Sequence, residues 1–87
     1  MSYKIDFSDE FKHQYRKLAR KNKHLLKRVD KKLDDILDNP FIGKPLRYNL
    51  KGKLSVRVPP FRIIYRIEGD TIKIIRFRHR GDVYNRP

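Results

Sequence analysis

A Pro-Pro pair between two runs of alternating residues constrains the fold of this 87-residue chain more than any other feature. Apolar and polar residues alternate over residues 54–58 and largely alternate over residues 61–68, with Pro59-Pro60 between the two runs. Alternation places successive side chains on opposite faces of a strand, so the pattern predicts two strands joined by a tight turn. Arg62 and Arg66 fall on one face of the second strand, and Ile63, Tyr65 and Ile67 fall on the other. A strand that turns one face to the core and holds arginines on the other predicts a rigid anion-binding site.

The N-terminal half predicts a strand followed by two helices. Residues 3–7 alternate as a half-buried strand does. Ser8 is a good N-cap for a first amphipathic helix, and Asn22 both interrupts the helical pattern and caps a second helix. The second helix is expected to end before Asn39-Pro40, because proline cannot continue it. So short a connection predicts an antiparallel helical hairpin that covers a sheet.

The C-terminal half predicts the remaining strands. Residues 46–50 are expected to form a short strand, and Glu68-Gly69-Asp70 to form a hairpin turn into a strand over Thr71–Arg78. The fold class is therefore α+β: an N-terminal strand, an antiparallel helical hairpin and a mostly antiparallel sheet of three to four strands. The length predicts a single domain over residues 1–87.

The charge of the chain is strongly positive and unevenly distributed. Its formal net charge is +13, and residues 41–87 carry 12 Lys/Arg against three Asp/Glu. This excess in the predicted sheet half favours a polyanionic partner, most simply nucleic acid, over a merely solvated basic surface. The absence of cysteine excludes disulfides, thiolate zinc sites and a cysteine nucleophile. With no membrane-length apolar run and no signal-peptide pattern, we expect a soluble, cytoplasmic protein with no membrane partner.

A second basic cluster, Arg76–Arg80, supplies the other candidate site residues. The predicted hairpin puts the last two strands side by side, so the cations of both can converge at one end of the sheet. An arginine fork can bridge two phosphate oxygens and stabilise a phosphoryl-transfer transition state without a metal. Tyr84 adds an aromatic face for a base or a phenol for a ribose. The three histidines lack metal-ligand spacing, and we expect no metal and no cofactor.

Composition and spacing alone leave the role of these residues open. Since no general base is evident, they favour a phosphate-binding RNA module over a nuclease. Tyr84 also fits a role as an anchor of the C-terminal tail in the core. The basic side chains of the second helix, which include Arg28, Lys31 and Lys32, are offset by aspartates and are interpreted as a solvated helix face.

Four segments together resemble the RelE/ParE toxin superfamily, and most closely its archaeal RelE-type toxins. They are Lys44-Pro-Leu-Arg47, Leu54-Ser-Val-Arg57-Val, Phe61-Arg62-Ile-Ile-Tyr65-Arg-Ile and His79-Arg80-Gly-Asp-Val-Tyr84. The resemblance covers nearly the whole chain and implies a β-α-α-β-β-β fold like that of microbial ribonucleases. It also implies a ribosome-dependent mRNA endoribonuclease that promotes attack by the 2′-hydroxyl on the adjacent phosphate.

Site roles follow from the resemblance, position by position. Arg57, Arg62 and Arg80 would stabilise the phosphate transition state, with Arg78 as the alternative to Arg80, and Tyr84 would contact the ribose or a base. The residues expected to contact RNA phosphates are Arg47, Lys51, Lys53, Arg66, Arg78 and His79. Ser55 stands where the better-known bacterial relatives have a lysine.

The resemblance also implies partners. These are an acidic RelB-like antitoxin that covers the basic surface, and a ribosome with mRNA in its A site. The complex with the antitoxin would bind operator DNA through the antitoxin. The alternatives are a ParE-like inhibitor of DNA gyrase and a non-catalytic RNA-binding module.

Overall fold

A computed structural model describes residues 2–79 of the chain as two helices packed on one five-stranded sheet. In chain order the elements are β1 (Lys4–Phe7), α1 (Asp9–Lys21), α2 (Lys23–Asp38), β2 (Lys44–Pro45), β3 (Leu54–Val58), β4 (Phe61–Glu68) and β5 (Thr71–His79). The strand order across the sheet is β1-β5-β4-β3-β2. β1 pairs with β5 in parallel, and the other neighbours pair antiparallel. The predicted α+β class and order of elements are confirmed.

Both helices begin at the predicted capping residues. Ser8 Oγ accepts a hydrogen bond of 3.0 Å from the Phe11 N–H, and Asn22 Oδ1 accepts one of 3.0 Å from the Leu25 N–H. Each side chain satisfies a backbone donor that the first turn of a helix leaves without an intrahelical partner. Asn22 alone separates the two helices, which pack against each other.

The predicted strand over residues 46–50 is wrong. The edge strand is instead β2, which comes earlier and is only two residues long. Tyr48–Leu50 form a short 3-10 helix, in which the Leu50 N–H donates to the Arg47 carbonyl at 3.1 Å. Tyr48 has a φ of +61°, a conformation that cannot continue a strand. The apolar spacing of this segment arises from a turn and not from a pleated strand.

The core lies between the two helices and one face of the sheet. Among its fully buried members are Val29, Ile36, Ile63, Tyr65 and Ile72. The Tyr65 hydroxyl donates a hydrogen bond of 2.7 Å to the Pro40 carbonyl, and burial raises the pKa of Tyr65. The polar end of this core side chain is therefore satisfied by the segment that follows α2.

A β-bulge changes which side chains of β5 face the core. Ile64 pairs with Arg76, but the next residue, Tyr65, pairs with Ile74, so Ile75 is an extra residue on β5. Two residues of opposite parity, Ile74 and Phe77, can therefore both lie in the core. The bulge also turns Arg76 to the face opposite the core.

The surface of the helices carries His13 and His24, which are both exposed. No helix within residues 2–79 combines the length and the apolarity needed to cross a membrane.

Candidate functional site

The register of β3, β4 and β5 places three arginines side by side. Arg57 lies directly opposite Arg62, and Arg62 lies directly opposite Arg78. Directly opposed residues of antiparallel strands share a face and have Cβ atoms about 4.5–5.5 Å apart. We call Arg57, Arg62 and Arg78 the arginine row.

The arginine row lies on the face of the sheet away from the helices. Val56, Ile63 and Phe77 are chain neighbours of the three arginines, and all lie in the core beneath the helices. Since side chains alternate along a strand, the arginines point the other way. Like charges directly opposite one another destabilise a sheet, so the row costs stability unless an anion neutralises it. The arrangement therefore favours a bound polyanion.

The central arginine of the row is held rigidly. Arg62 is only 9% exposed, and its Nη1 donates a hydrogen bond of 3.2 Å to Ser55 Oγ. Ser55 is itself 1% exposed, so water does not compete for this bond. A buried and hydrogen-bonded guanidinium loses little further freedom when it binds an anion, which is the condition for a preorganised site.

The next row of directly opposed residues on the same face combines a hydroxyl, an apolar and a cationic side chain. It consists of Ser55, Ile64 and Arg76, which lie opposite one another on β3, β4 and β5. Arg76 Nη1 is 3.7 Å from Glu10 Oε1, which reaches it beyond the end of β1. Arg76 is thus partly neutralised within the protein by a carboxylate from the first turn of α1.

A cleft of about 430 Å³ opens at the end of the sheet beside the row. Its lining includes Arg57, Arg62 and His79 together with the Pro59–Pro60 turn. The His79 ring meets the ring of Phe61 edge to face, with centroids 5.8 Å apart and planes at 90°. The side chain of His79 is therefore positioned in the wall of the cleft, and it is exposed to solvent.

The structure brings together four of the predicted site residues and separates others. Arg57, Arg62, Arg78 and His79 lie at one end of the sheet. Arg66 lies four residues further along β4, about 13 Å away at about 3.3 Å per residue. There it is in register with Lys73 and forms an ion pair of 2.5 Å with Glu68. Arg66 is thus not part of the cluster formed by the arginine row.

The basic residues of the connection between β2 and β3 are also remote from the row. Arg47 and Lys51 are exposed beside the 3-10 helix, and Lys53 is half-buried just before β3 begins. Lys53 is four residues from Arg57 along the strand direction, again about 13 Å. Any contact of these side chains with RNA would therefore be made some distance from the row. The predicted site residues Arg80 and Tyr84 lie outside the described residues.

Sequence reasoning missed the role of Ser55. Its signal was present, because Leu54, Val56 and Val58 form the apolar face of β3 and place Ser55 on the face of Arg57. The contact with Arg62 required the register as well. Within residues 2–79 no group of three His, Asp or Glu side chains is arranged to hold a metal ion.

Comparison with known proteins identifies the family. The family model described as "ParE toxin of type II toxin-antitoxin system, parDE" matches residues 5–84. This chain belongs to the ParE toxin family. The resemblance to the RelE/ParE superfamily is thereby confirmed, and the chain is a toxin of a type II toxin-antitoxin system with a RelE-like fold.

Individual relatives place the toxin among RelE-like and YoeB-like proteins. It is 45% identical to Toxin RelG of Mycobacterium tuberculosis over 47 residues, which are 52% of this chain and 54% of RelG. The match thus spans about half the length of that relative. The toxin-antitoxin complex RelBE2 from M. tuberculosis contains a chain 31% identical to the toxin, with a TM-score of 0.77 over 92% of this chain and 100% of that one. The YoeB-YefM complex from Staphylococcus aureus gives 28% identity and a TM-score of 0.75 over 91% and 98%.

Proposed function

We propose that the toxin is a metal-independent endoribonuclease that cleaves mRNA in the ribosomal A site and so inhibits translation. The observation that carries the proposal is the arginine row, with Arg62 buried, hydrogen-bonded and flanked by two further arginines. A module that only bound RNA would gain little from burying a cation, whereas transition-state stabilisation depends on charges that are already fixed.

The arginine row suits the charge that develops during phosphoryl transfer. Negative charge accumulates on the phosphate oxygens in the transition state, and guanidinium groups on adjacent strands can each engage two of them. Arg57 and Arg62 act from β3 and β4, and either Arg78 or Arg80 acts from the third side. Tyr84 orients the ribose or stacks on a base. These roles supply electrostatic stabilisation from the chain's own side chains.

The reaction itself is an intramolecular transfer within the RNA. The 2′-oxygen forms a bond to phosphorus while the bond from phosphorus to the 5′-oxygen breaks. The proton of the 2′-hydroxyl passes to a base, and the leaving 5′-oxygen takes up a proton. The products are a 2′,3′-cyclic phosphate and a 5′-hydroxyl end, with no oxidant or reductant consumed.

The proposal includes a RelB-like antitoxin as the neutralising partner in the cytoplasm. Support comes from the RelBE2 and YoeB-YefM structures, in which similar toxins are complexed with antitoxins. A net charge of +13 calls for an acidic partner segment that competes with RNA. The complex would bind operator DNA through the antitoxin, since a basic toxin surface covered by antitoxin is not available for DNA.

The test is cleavage of mRNA on programmed ribosomes by the purified toxin. Primer extension should map cuts to A-site codons, and the new ends should carry a 5′-hydroxyl. Arg62→Ala should lower the single-turnover rate by about 100- to 1,000-fold, since it removes a preorganised charge. Arg20→Ala removes an exposed guanidinium from the last turn of α1 and serves as the matched control. Intact mRNA with the wild-type toxin, or equal rates for the two variants, would overturn the proposal.

The second candidate is a ParE-like inhibitor of DNA gyrase, which the description of the matching family favours. A gyrase inhibitor has no use for a buried arginine aligned with two others. In a supercoiling assay the proposed nuclease leaves gyrase active. Inhibition of gyrase that survives Arg62→Ala would establish the second candidate instead.

A further inference from the structure

A second basic groove adjoins the cleft of the arginine row. It has a volume of about 310 Å³ and lies between α2 and the end of β3. Four cations, Arg28, Lys31, Lys32 and Arg57, line it with a single carboxylate, Asp35. We call it the α2 groove. Its lining is therefore strongly positive.

The α2 groove is continuous with the cleft of the arginine row. Arg57 and Pro59 line both depressions. The connection exists because β2 pairs only with Leu54 and Ser55, which leaves the last residues of β3 at an uncovered sheet edge. Arg57 stands at this edge and can face both depressions. A chain lying on the arginine row can thus pass around the Pro59–Pro60 turn without leaving positive surface.

The charges of α2 are sorted by side, which argues against a uniformly solvated helix face. Asp30 and Asp34 line a separate depression against α1, together with Tyr15. The cations Arg28 and Lys32 line the α2 groove instead. Residues four apart on a helix lie on one face, so Arg28 and Lys32 form a pair one turn apart. Lys31 is 4.0 Å from Asp35 and is partly neutralised, which leaves Arg28 and Lys32 as the main contributors of positive charge.

We propose that single-stranded RNA bound at the arginine row continues around the Pro59–Pro60 turn into the α2 groove, where Arg28 and Lys32 contact phosphates that flank the cleaved one. The inference rests on the proposed function, since it takes RNA as the occupant of the row. It extends the site to a part of the helical hairpin. Its consequence is that affinity grows with the length of the RNA beyond the nucleotides at the row.

The test compares short and long RNA on three forms of the toxin. The probes are fluorescent 2′-O-methyl oligonucleotides, which cannot be cleaved, of about three and about nine nucleotides, so that only the longer can also reach α2. The forms are the wild type, the double variant Arg28→Ala/Lys32→Ala, and the control Lys23→Ala/Lys27→Ala. Both double variants lose two exposed or half-exposed cations from α2, but Lys23 and Lys27 line neither depression. Alanine favours helix, so the fold is expected to persist and is checked by circular dichroism.

The wild type and the control should bind the long probe more tightly than the short one. The Arg28→Ala/Lys32→Ala variant should lose about tenfold in affinity for the long probe only. Its slope of log affinity against log salt should fall by about 1.4, at about 0.7 per phosphate contact. Equal losses in both double variants would reduce the effect to general charge and overturn the proposal. Unchanged RNA binding together with weakened antitoxin binding in the Arg28→Ala/Lys32→Ala variant would also overturn the proposal.

The outcome is separable from that of the proposed function. Cleavage on programmed ribosomes is measured with the same three forms of the toxin. If the wild type cleaves mRNA but the three forms show the same dependence of binding affinity on RNA length, the role of the α2 groove alone is overturned. Length-dependent binding without cleavage would overturn the nuclease and leave an RNA-binding surface.

Discussion

Arg62 Nη1 on β4 donates a hydrogen bond of 3.2 Å to Ser55 Oγ on β3, and both side chains are buried. The bond ties the central cation of the arginine row to the neighbouring strand. A buried hydrogen bond to a charged group is typically worth about 1.5–3 kcal/mol, so the orientation of this guanidinium depends on Ser55.

Replacing Ser55 by alanine should therefore loosen Arg62 without removing it. We expect kcat for mRNA cleavage to fall about tenfold, because a charge that must be reoriented stabilises the transition state less well. KM should change little, since the positive charge remains. Ser55→Thr keeps the acceptor oxygen and suits a strand, so it should restore most of the loss. Steady-state kinetics on programmed ribosomes measure kcat and KM separately. Equal rates for the alanine and threonine variants would contradict this role.

Replacing Arg57 by glutamine should stabilise the fold while it impairs cleavage. Arg57 is exposed and lies directly opposite Arg62, so its removal relieves like-charge repulsion by roughly 0.5 kcal/mol. Urea denaturation at low salt should show the gain, and added salt should shrink it because salt screens the repulsion in the wild type. Arg20→Gln is the control. Arg20 lies in the last turn of α1, where a cation is favourable, so its loss should slightly lower stability. A lower stability for Arg57→Gln would show that the row is not repulsive.

Replacing Gly43 by alanine should destabilise the protein by about 1–3 kcal/mol, because the site is closely packed. A Cβ at this position would lie 2.9 Å from Leu54 Cβ and would collide with the Tyr65 hydroxyl. Combining the change with Tyr65→Phe removes that hydroxyl, so the two effects should be less than additive in a double-mutant cycle. Phe41 lies in the same segment and is 68% exposed, so the control Phe41→Ala should change stability little. Simple additivity of Gly43→Ala and Tyr65→Phe would refute the close contact.

The stability of the helical hairpin should fall at high pH through Tyr15. Its hydroxyl donates a hydrogen bond of 2.6 Å to Asp30 Oδ1, which, together with burial, raises the pKa of Tyr15 from 10.0 to about 12. The folded state thus holds this proton more tightly than the unfolded state does. The resulting stability is fully present below the unfolded pKa and is lost as the pH rises towards the folded one.

The Tyr15→Phe variant lacks this contribution, so comparing it with the wild type measures the effect. The difference in unfolding free energy between wild type and Tyr15→Phe should be constant below about pH 9 and should narrow between about pH 10 and pH 12. In the variant, ultraviolet absorbance titration should also lose the tyrosine step near pH 12 that belongs to Tyr15. A difference that does not narrow over this range would mean that the hydrogen bond with Asp30 does not hold the proton.

Much of the fold could be predicted because its signals are local. Ser8 and Asn22 indicate where the helices begin, because their side chains accept hydrogen bonds from backbone N–H groups three residues later. The alternation of apolar and polar residues on either side of Pro59–Pro60 predicts β3 and β4. The strand predicted over residues 46–50 failed because the positive φ of Tyr48 is set by its surroundings and not by its residue type.

The composition of the candidate site could be predicted only in part. The sequence alone shows a basic C-terminal half and arginines on the strands, since charge and alternation require no knowledge of neighbours. It does not show that Arg57, Arg62 and Arg78 share one register, because pairing is fixed by turn geometry and core packing together. Nor does it show that Arg28 and Lys32 on α2 border the same end of the sheet.

The bulge at Ile75 gives the physical reason for this division. Strict alternation along β5 would place Ile72, Ile74, Arg76 and Arg78 on one face. The paired strands contain an extra residue, which lets the isoleucines stay in the core while the arginines turn outward. The sequence by itself determined both helices, most of the strands and their charge, because those depend on residues near one another in the chain. The tertiary structure alone decided which cations meet, because that depends on how distant segments pack.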